Sequence, residues 1–79
     1  MESSADIWLH HFKTGAGLYA ERNYSAAIEA FNKSIALNEH WNSYQGLGWA
    51  LFRTKNYPAA IDAFNKSIAL NEHEDTYQG

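Results

Sequence analysis

Four histidines are the first residues that could do chemistry: His10, His11, His40 and His73. Imidazole is a common metal ligand and a general base near neutral pH. His10 and His11 are neighbours, so on a helix their rings diverge by about 100° and cannot both grip one ion. His40 and His73 each close an Asn-Glu-His triplet in matching loops. Each triplet could offer oxygen and nitrogen ligands, but no closed set of four is visible, as a structural zinc site would need. Helix-ending polar residues are the plainer account of all four, and neither a metal nor a cofactor is implied.

Acid–base catalysis needs titratable groups that converge in one pocket. Glu21, Glu29, Asp62, Glu72, Glu74 and Asp75 are spread as solvated helix faces or turns. Gly15-Ala16-Gly17 sits inside a helical apolar stripe, so it suits close packing better than a phosphate-cradling loop. There is no cysteine nucleophile. Ser34 and Ser67 occupy the same place in two copies of one decapeptide, and a nucleophile has no reason to come twice. The sequence therefore predicts a protein that is not an enzyme.

Bulk composition narrows the alternatives. Seventy-nine residues make one small domain, 1–79, whose core is marginal for its size. Without cysteine, no disulfide can staple it. The net charge is −3, and the six Lys and Arg residues are scattered singly. That pattern offers no footprint for nucleic acid and no polybasic patch for anionic lipid. The opening MESSADIWLHHFKTG lacks the layout of a secretory signal, and no run of eighteen apolar residues predicts a membrane span. A cytoplasmic setting is the default expectation.

The elements that would carry any site come in copies. NYSAAIEAFNKSIALNEHWNSYQG, residues 23–46, returns as NYPAAIDAFNKSIALNEHEDTYQG, residues 56–79. Five positions differ: Ser25/Pro58, Glu29/Asp62, Trp41/Glu74, Asn42/Asp75 and Ser43/Thr76. Upstream the echo weakens, but Trp8 still matches Trp41 and Gly15 matches Gly48. A period of 33 residues, from Phe31 to Phe64, means stacked supersecondary units. Within each unit, apolar residues three and four apart predict two helices: Ala27, Ile28, Phe31, Ile35 and Tyr44, Leu47, Leu51. Arg22-Asn23 and Lys55-Asn56 break the chain, with Asn as the expected N-cap. Ser3 or Ser4 would cap the first helix, and Pro58 suits a first turn. The spacing predicts helices near 5–20, 24–38, 41–54 and 57–71, stopped at each Asn-Glu-His, with a one-turn stub after 74.

The spacing Tyr44-x2-Leu47-Gly48-x2-Leu51 followed by Ala60-x3-Phe64 resembles the tetratricopeptide repeat (TPR) family. A weaker copy is His11-x2-Thr14-Gly15-x2-Leu18 followed by Ala27-x3-Phe31. The resemblance implies an all-α, right-handed array of two antiparallel helix pairs plus a short C-terminal stub. Repeat one would span about 8–40, repeat two about 41–73, and a partial third 74–79. Gly15 and Gly48 would allow close helix approach beside Ala27 and Ala60, with Phe31 and Phe64 filling between pairs. Departures are Ser34 and Ser67 where the family usually has Ala, Glu39 and Glu72 where it usually has Pro, and Thr14 where it has an apolar residue.

In that family the first helices line a concave groove for a peptide. Carried over, the groove positions are Leu9, Phe12, Ala16, Tyr19 and Ala20 in one copy and Asn42, Gln45, Trp49, Phe52 and Arg53 in the other. The family's basic clamp for acidic tails is missing, because Phe12, Ala16, Gln45 and Trp49 hold its positions. The candidate site is thus aromatic and nearly neutral: Phe12, Tyr19, Asn42, Gln45, Trp49, Phe52 and Arg53. It suits an apolar peptide or partner helix. The competing account packs Phe12, Trp49 and Phe52 against a neighbouring helix or another copy. The last full helix, with Ala63, Ile68 and Leu70, is expected to expose a face that a further unit would cover: either the chain is a piece of a longer array, or it forms a homodimer through that end, by end-to-end stacking or by exchanging helices. The functions in view are a protein-binding scaffold, an accessory repeat segment of a larger enzyme such as a transferase, or a structural repeat that assembles with itself.

Overall fold

The computed structural model describes residues 4–78, and the side chains of residues 7–72. Four helices follow one another: α1 Ser4–Ala20, α2 Tyr24–Leu37, α3 Trp41–Arg53 and α4 Tyr57–Gln78. Neighbours pack in adjacent pairs, α1 on α2 and α3 on α4, with α2 against α3 joining the pairs. Ser3 lies outside the described residues, so the choice between Ser3 and Ser4 as a cap falls there.

The two tight breaks have one construction. Arg22 and Lys55 both take left-handed backbone, with φ of 65° and 67°. Arg22 N–H donates to the Tyr19 carbonyl and Asn23 N–H to that of Leu18, at 2.9 Å each. Lys55 to Phe52 and Asn56 to Leu51 repeat this at 3.0 and 2.9 Å. This is a Schellman closure with a cation where glycine is favoured. The expected side-chain cap from Asn23 is not made; its backbone carbonyl accepts from Ala27 N–H instead, at 3.0 Å.

The core is built around Phe31, which is 2% exposed. Its ring lies between Gly15 of α1 and Gly46 of α3. An ideal Cβ at Gly15 would come within 2.9 Å of it, and at Gly46 within 2.6 Å. Gly48 stands to Phe64 as Gly15 does to Phe31, at 2.7 Å. Ala27 and Ala50 are fully buried beside Phe31. The glycines of α1 and α3 are therefore spaces that rings occupy. Gly17 is different, because a Cβ there would meet nothing within 4 Å.

The serines that depart from the TPR pattern are buried and used. Ser34 Oγ donates to the Trp8 carbonyl at 2.8 Å. With its only proton committed, it accepts from Ser43 Oγ, also at 2.8 Å. Ser67 repeats the first bond, donating to the Trp41 carbonyl at 2.9 Å. Each hydroxyl ties the second helix of a repeat to the start of its first, so their burial leaves no polar atom unpaired. Thr14 is exposed, and its hydroxyl donates back to the His10 carbonyl at 3.0 Å.

Asn38–His40 joins the two repeats. His40 precedes α3, and its Nδ1 accepts from Asn42 N–H at 3.1 Å. Its ring stacks on Trp8 at 4.8 Å and on Trp41 at 5.8 Å. Tyr44 O–H donates to Glu39 Oε1 at 2.6 Å, which gives the glutamate at the family's usual proline position a role. Burial first, and then that hydrogen bond, push the Tyr44 phenol from 10.0 up to about 12. The second Asn-Glu-His does not stop its helix. The expected break at residues 71–73 and the separate stub after 74 are absent, since α4 runs unbroken to Gln78.

Two predictions follow from this packing. Gly17→Ala stabilises the chain by about 1 kcal/mol, because only helix propensity changes, whereas Gly46→Ala destabilises it by about 1–3 kcal/mol by crowding Phe31; urea titration of both variants checks the opposite signs. Tyr44→Phe costs about 1–2 kcal/mol at neutral pH through the lost hydrogen bond. A phenol raised on folding contributes stability that is complete below pH 10 and is lost as pH rises toward 12. The stability gap between wild type and Tyr44→Phe should therefore narrow across that window in urea melts.

Candidate binding groove

A recess of about 540 Å³ opens between α1 and α3. Phe12, Ala16 and Tyr19 line it from α1, and Asn42, Gln45, Trp49 and Arg53 from α3. Phe31 and Gly46 complete its wall. The helical period explains the grouping. Residues 12, 16 and 19 fall on one face of α1, and 42, 45, 49 and 53 on one face of α3. Both helices turn that face the same way because both pack their opposite side on the second helix of their repeat.

Six of the seven candidate residues surround this recess: Phe12, Tyr19, Asn42, Gln45, Trp49 and Arg53. Phe52 does not. It is 44% exposed and lies edge-on to Trp49 at 6.0 Å and to Tyr57 at 5.5 Å, beyond the rim. Leu9 and Ala20 also stand outside the lining. Phe31 and Gly46 were assigned to packing or passed over in the sequence, yet they form part of the wall. Gly46 stands opposite Lys13 in the preceding unit and Gly79 in the following one, and it lies outside the glycine spacing of the repeat signature.

The lining is apolar in the middle and polar at the ends. Phe12 is half-buried and tilts against Phe31, with ring centroids 5.9 Å apart. Trp49 is 45% exposed, although its ring edge meets Phe64 at 5.3 Å. Packing and display are thus shared by one indole, with one side held and the other open. Asn42 and Gln45 offer carboxamides that both donate and accept. Arg53 Nε–H donates to the Tyr19 hydroxyl at 3.0 Å, tying α3 to α1 across the recess. That hydrogen bond is the first cause holding the guanidinium pKa above its ordinary value. Nε is used, which leaves the terminal nitrogens of the fork as donors.

Among the described residues no three His, Asp or Glu side chains converge on a metal-sized site. None of the described helices is long and apolar enough to cross a membrane.

The fold defines a helical-repeat protein, built from helix pairs that bury their faces on one another. Residues 41–74 match the tetratricopeptide repeat family, and the four helices, packed in adjacent pairs, are consistent with a TPR-like helical repeat. That family supports a general role in protein–protein interaction or scaffolding. No curated protein and no solved structure matches the chain.

Proposed function

We propose that the chain is a non-catalytic interaction module that holds an apolar peptide or partner helix in the recess between α1 and α3. The observation that carries this is the convergence of Phe12, Tyr19 and Trp49 on one open recess, with Asn42, Gln45 and Arg53 at its margins. Large aromatic side chains in a preformed recess supply contact area at low entropic cost. The carboxamides would meet the ligand's backbone groups. Arg53 adds one positive charge, so a ligand with a single acid near an apolar residue is favoured over a polyacidic tail.

A second reading rests on a different surface. Ile61 and Ile68 of α4 are 60% and 53% exposed, while their counterparts Ile28 and Ile35 of α2 are half-buried. Exposed branched apolar side chains in one stripe mark an association surface. The proposal is that the chain self-associates through this end, as a scaffold or as a repeat whose partner is itself.

Trp49→Ala tests the groove. In a titration of peptides from a random-sequence library selected on the wild type, it should weaken binding by about 10-fold or more, with far-ultraviolet circular dichroism and melting preserved. A collapse of the fold in Trp49→Ala, or unchanged affinity, would sink the groove assignment and leave Trp49 as core.

A further inference from the structure

The face that α4 leaves open has an internal template. On α2, which packs against α3, Tyr24, Ile28, Phe31 and Ile35 are partly or wholly buried. The matching residues Tyr57, Ile61 and Ile68 are 48%, 60% and 53% exposed, and Phe64 is half-buried. Among the described residues nothing folds back over them.

The obvious cover is α1 of a second copy, laid on α4 as α3 lies on α2. The side chains forbid it. α3 brings Gly46 to the Phe31 ring, and an ideal Cβ there would already lie 2.6 Å away. In α1 the equivalent position is Lys13, with His10 in place of Ser43 and Thr14 in place of Leu47. A lysine stem would have to enter a space too small for a methyl group. Continued head-to-tail stacking is blocked at that residue.

The stripe has a different complement in itself. Positions 57, 61, 64 and 68 are spaced four, three and four, the apolar seam of a two-helix coiled coil. No ionisable carboxylate, amine or guanidinium interrupts it. We propose that a second copy covers this face with its own α4, antiparallel, about a twofold axis near Asn65. Ile61 then lies beside Ile68 of the second copy, and Asn65 faces Asn65. Along the edge, Pro58 faces Glu72, so no like charges meet. Lys66 is turned away, with Nζ 5.7 Å from the Tyr44 ring centroid. The contact is isologous and closes at two chains, so it cannot grow into a filament. It rests on the self-association proposed above and fixes its geometry; the groove between α1 and α3 stays free in both copies.

The test uses the full chain by sedimentation equilibrium and light scattering over a wide concentration range. The expected mass levels off at twice 9.0 kDa. Ile61→Lys/Ile68→Lys should give a monomer with unchanged helicity, because both side chains are exposed. The chain has no cysteine, so Asn65→Cys provides a clean reporter that should form a disulfide-linked dimer on mild oxidation. A wild type that stays monomeric at every concentration would overturn self-association altogether. A mass that climbs past two chains, or a dimer that survives the double lysine variant and does not link through Cys at position 65, would overturn only the α4–α4 geometry.

Discussion

The whole arrangement depends on one benzene ring held between two glycines. Phe31 is the point where α1, α2 and α3 meet, and it can lie there because Gly15 and Gly46 have no Cβ to put in its place. Two helices approach closely only where one offers a hollow and the other a knob. Ala27 and Ala50, both fully buried, extend the hollow on either side. The same ring then serves a second purpose, as part of the recess wall between α1 and α3. Packing within a repeat, packing between repeats and the shape of the candidate groove are thus set by one contact. In the second copy Phe64 has its first glycine, Gly48, but among the described residues no second wall, and its ring is half-buried instead of closed in.

Identical sequence takes two conformations here, and the reason is tertiary. Phe31–His40 and Phe64–His73 are the same ten residues, yet the first ends its helix at Leu37 while the second continues helical to Gln78. A break forfeits backbone hydrogen bonds and must be compensated. In the first copy the compensation is visible: His40 caps α3, two tryptophan rings enclose it, and Glu39 takes the Tyr44 hydroxyl. Every one of those partners belongs to α1 or to the helix that follows the break. In the second copy Glu74 stands where Trp41 stands, so one of the two enclosing rings is replaced by an acid. With that ring replaced, continuing the helix keeps the backbone hydrogen bonds that a break would forfeit.

Much of the fold was legible because the repeat states it twice. The first three helices lie within a residue or so of the boundaries that apolar spacing predicts, and Gly15, Gly48 and Phe31 take the packing places that the family resemblance implies. Legibility failed where a residue's role depends on something far along the chain. Gly46 recurs as Gly79 but stands opposite Lys13 in the preceding unit and lies outside the glycine spacing of the repeat signature, so its contact with Phe31 appears only in three dimensions. His40 reads as a polar stop, and nothing local says that its imidazole will be a cap between two indoles. Ser34 reads as a weakness beside alanine. Its worth is the Trp8 carbonyl, 26 residues away. The positions carried over for a groove follow helix faces of α1 and α3, and six of the seven candidate residues line the recess, whereas Phe52 falls on the shoulder of its helix, where its ring meets Tyr57 of α4.

The two surfaces of this chain are separated by the same asymmetry that makes the repeat. First helices carry small residues inward and present their other side, with Phe12, Tyr19 and Trp49, to the recess. Second helices carry the rings and branched side chains inward and show the next helix a stripe of Tyr, Ile, Phe and Ile. A ligand held in the recess as proposed would touch α1 and α3, whereas the proposed association through α4 would touch neither recess-lining face. Occupying one surface therefore leaves the other chemically intact, and coupling between them would have to pass through Trp49, whose ring meets Phe64 of the α4 stripe on one side and the recess on the other. That single indole is the only described side chain that both lines the recess and stacks on the stripe, so any influence of assembly on ligand binding is most directly transmitted there.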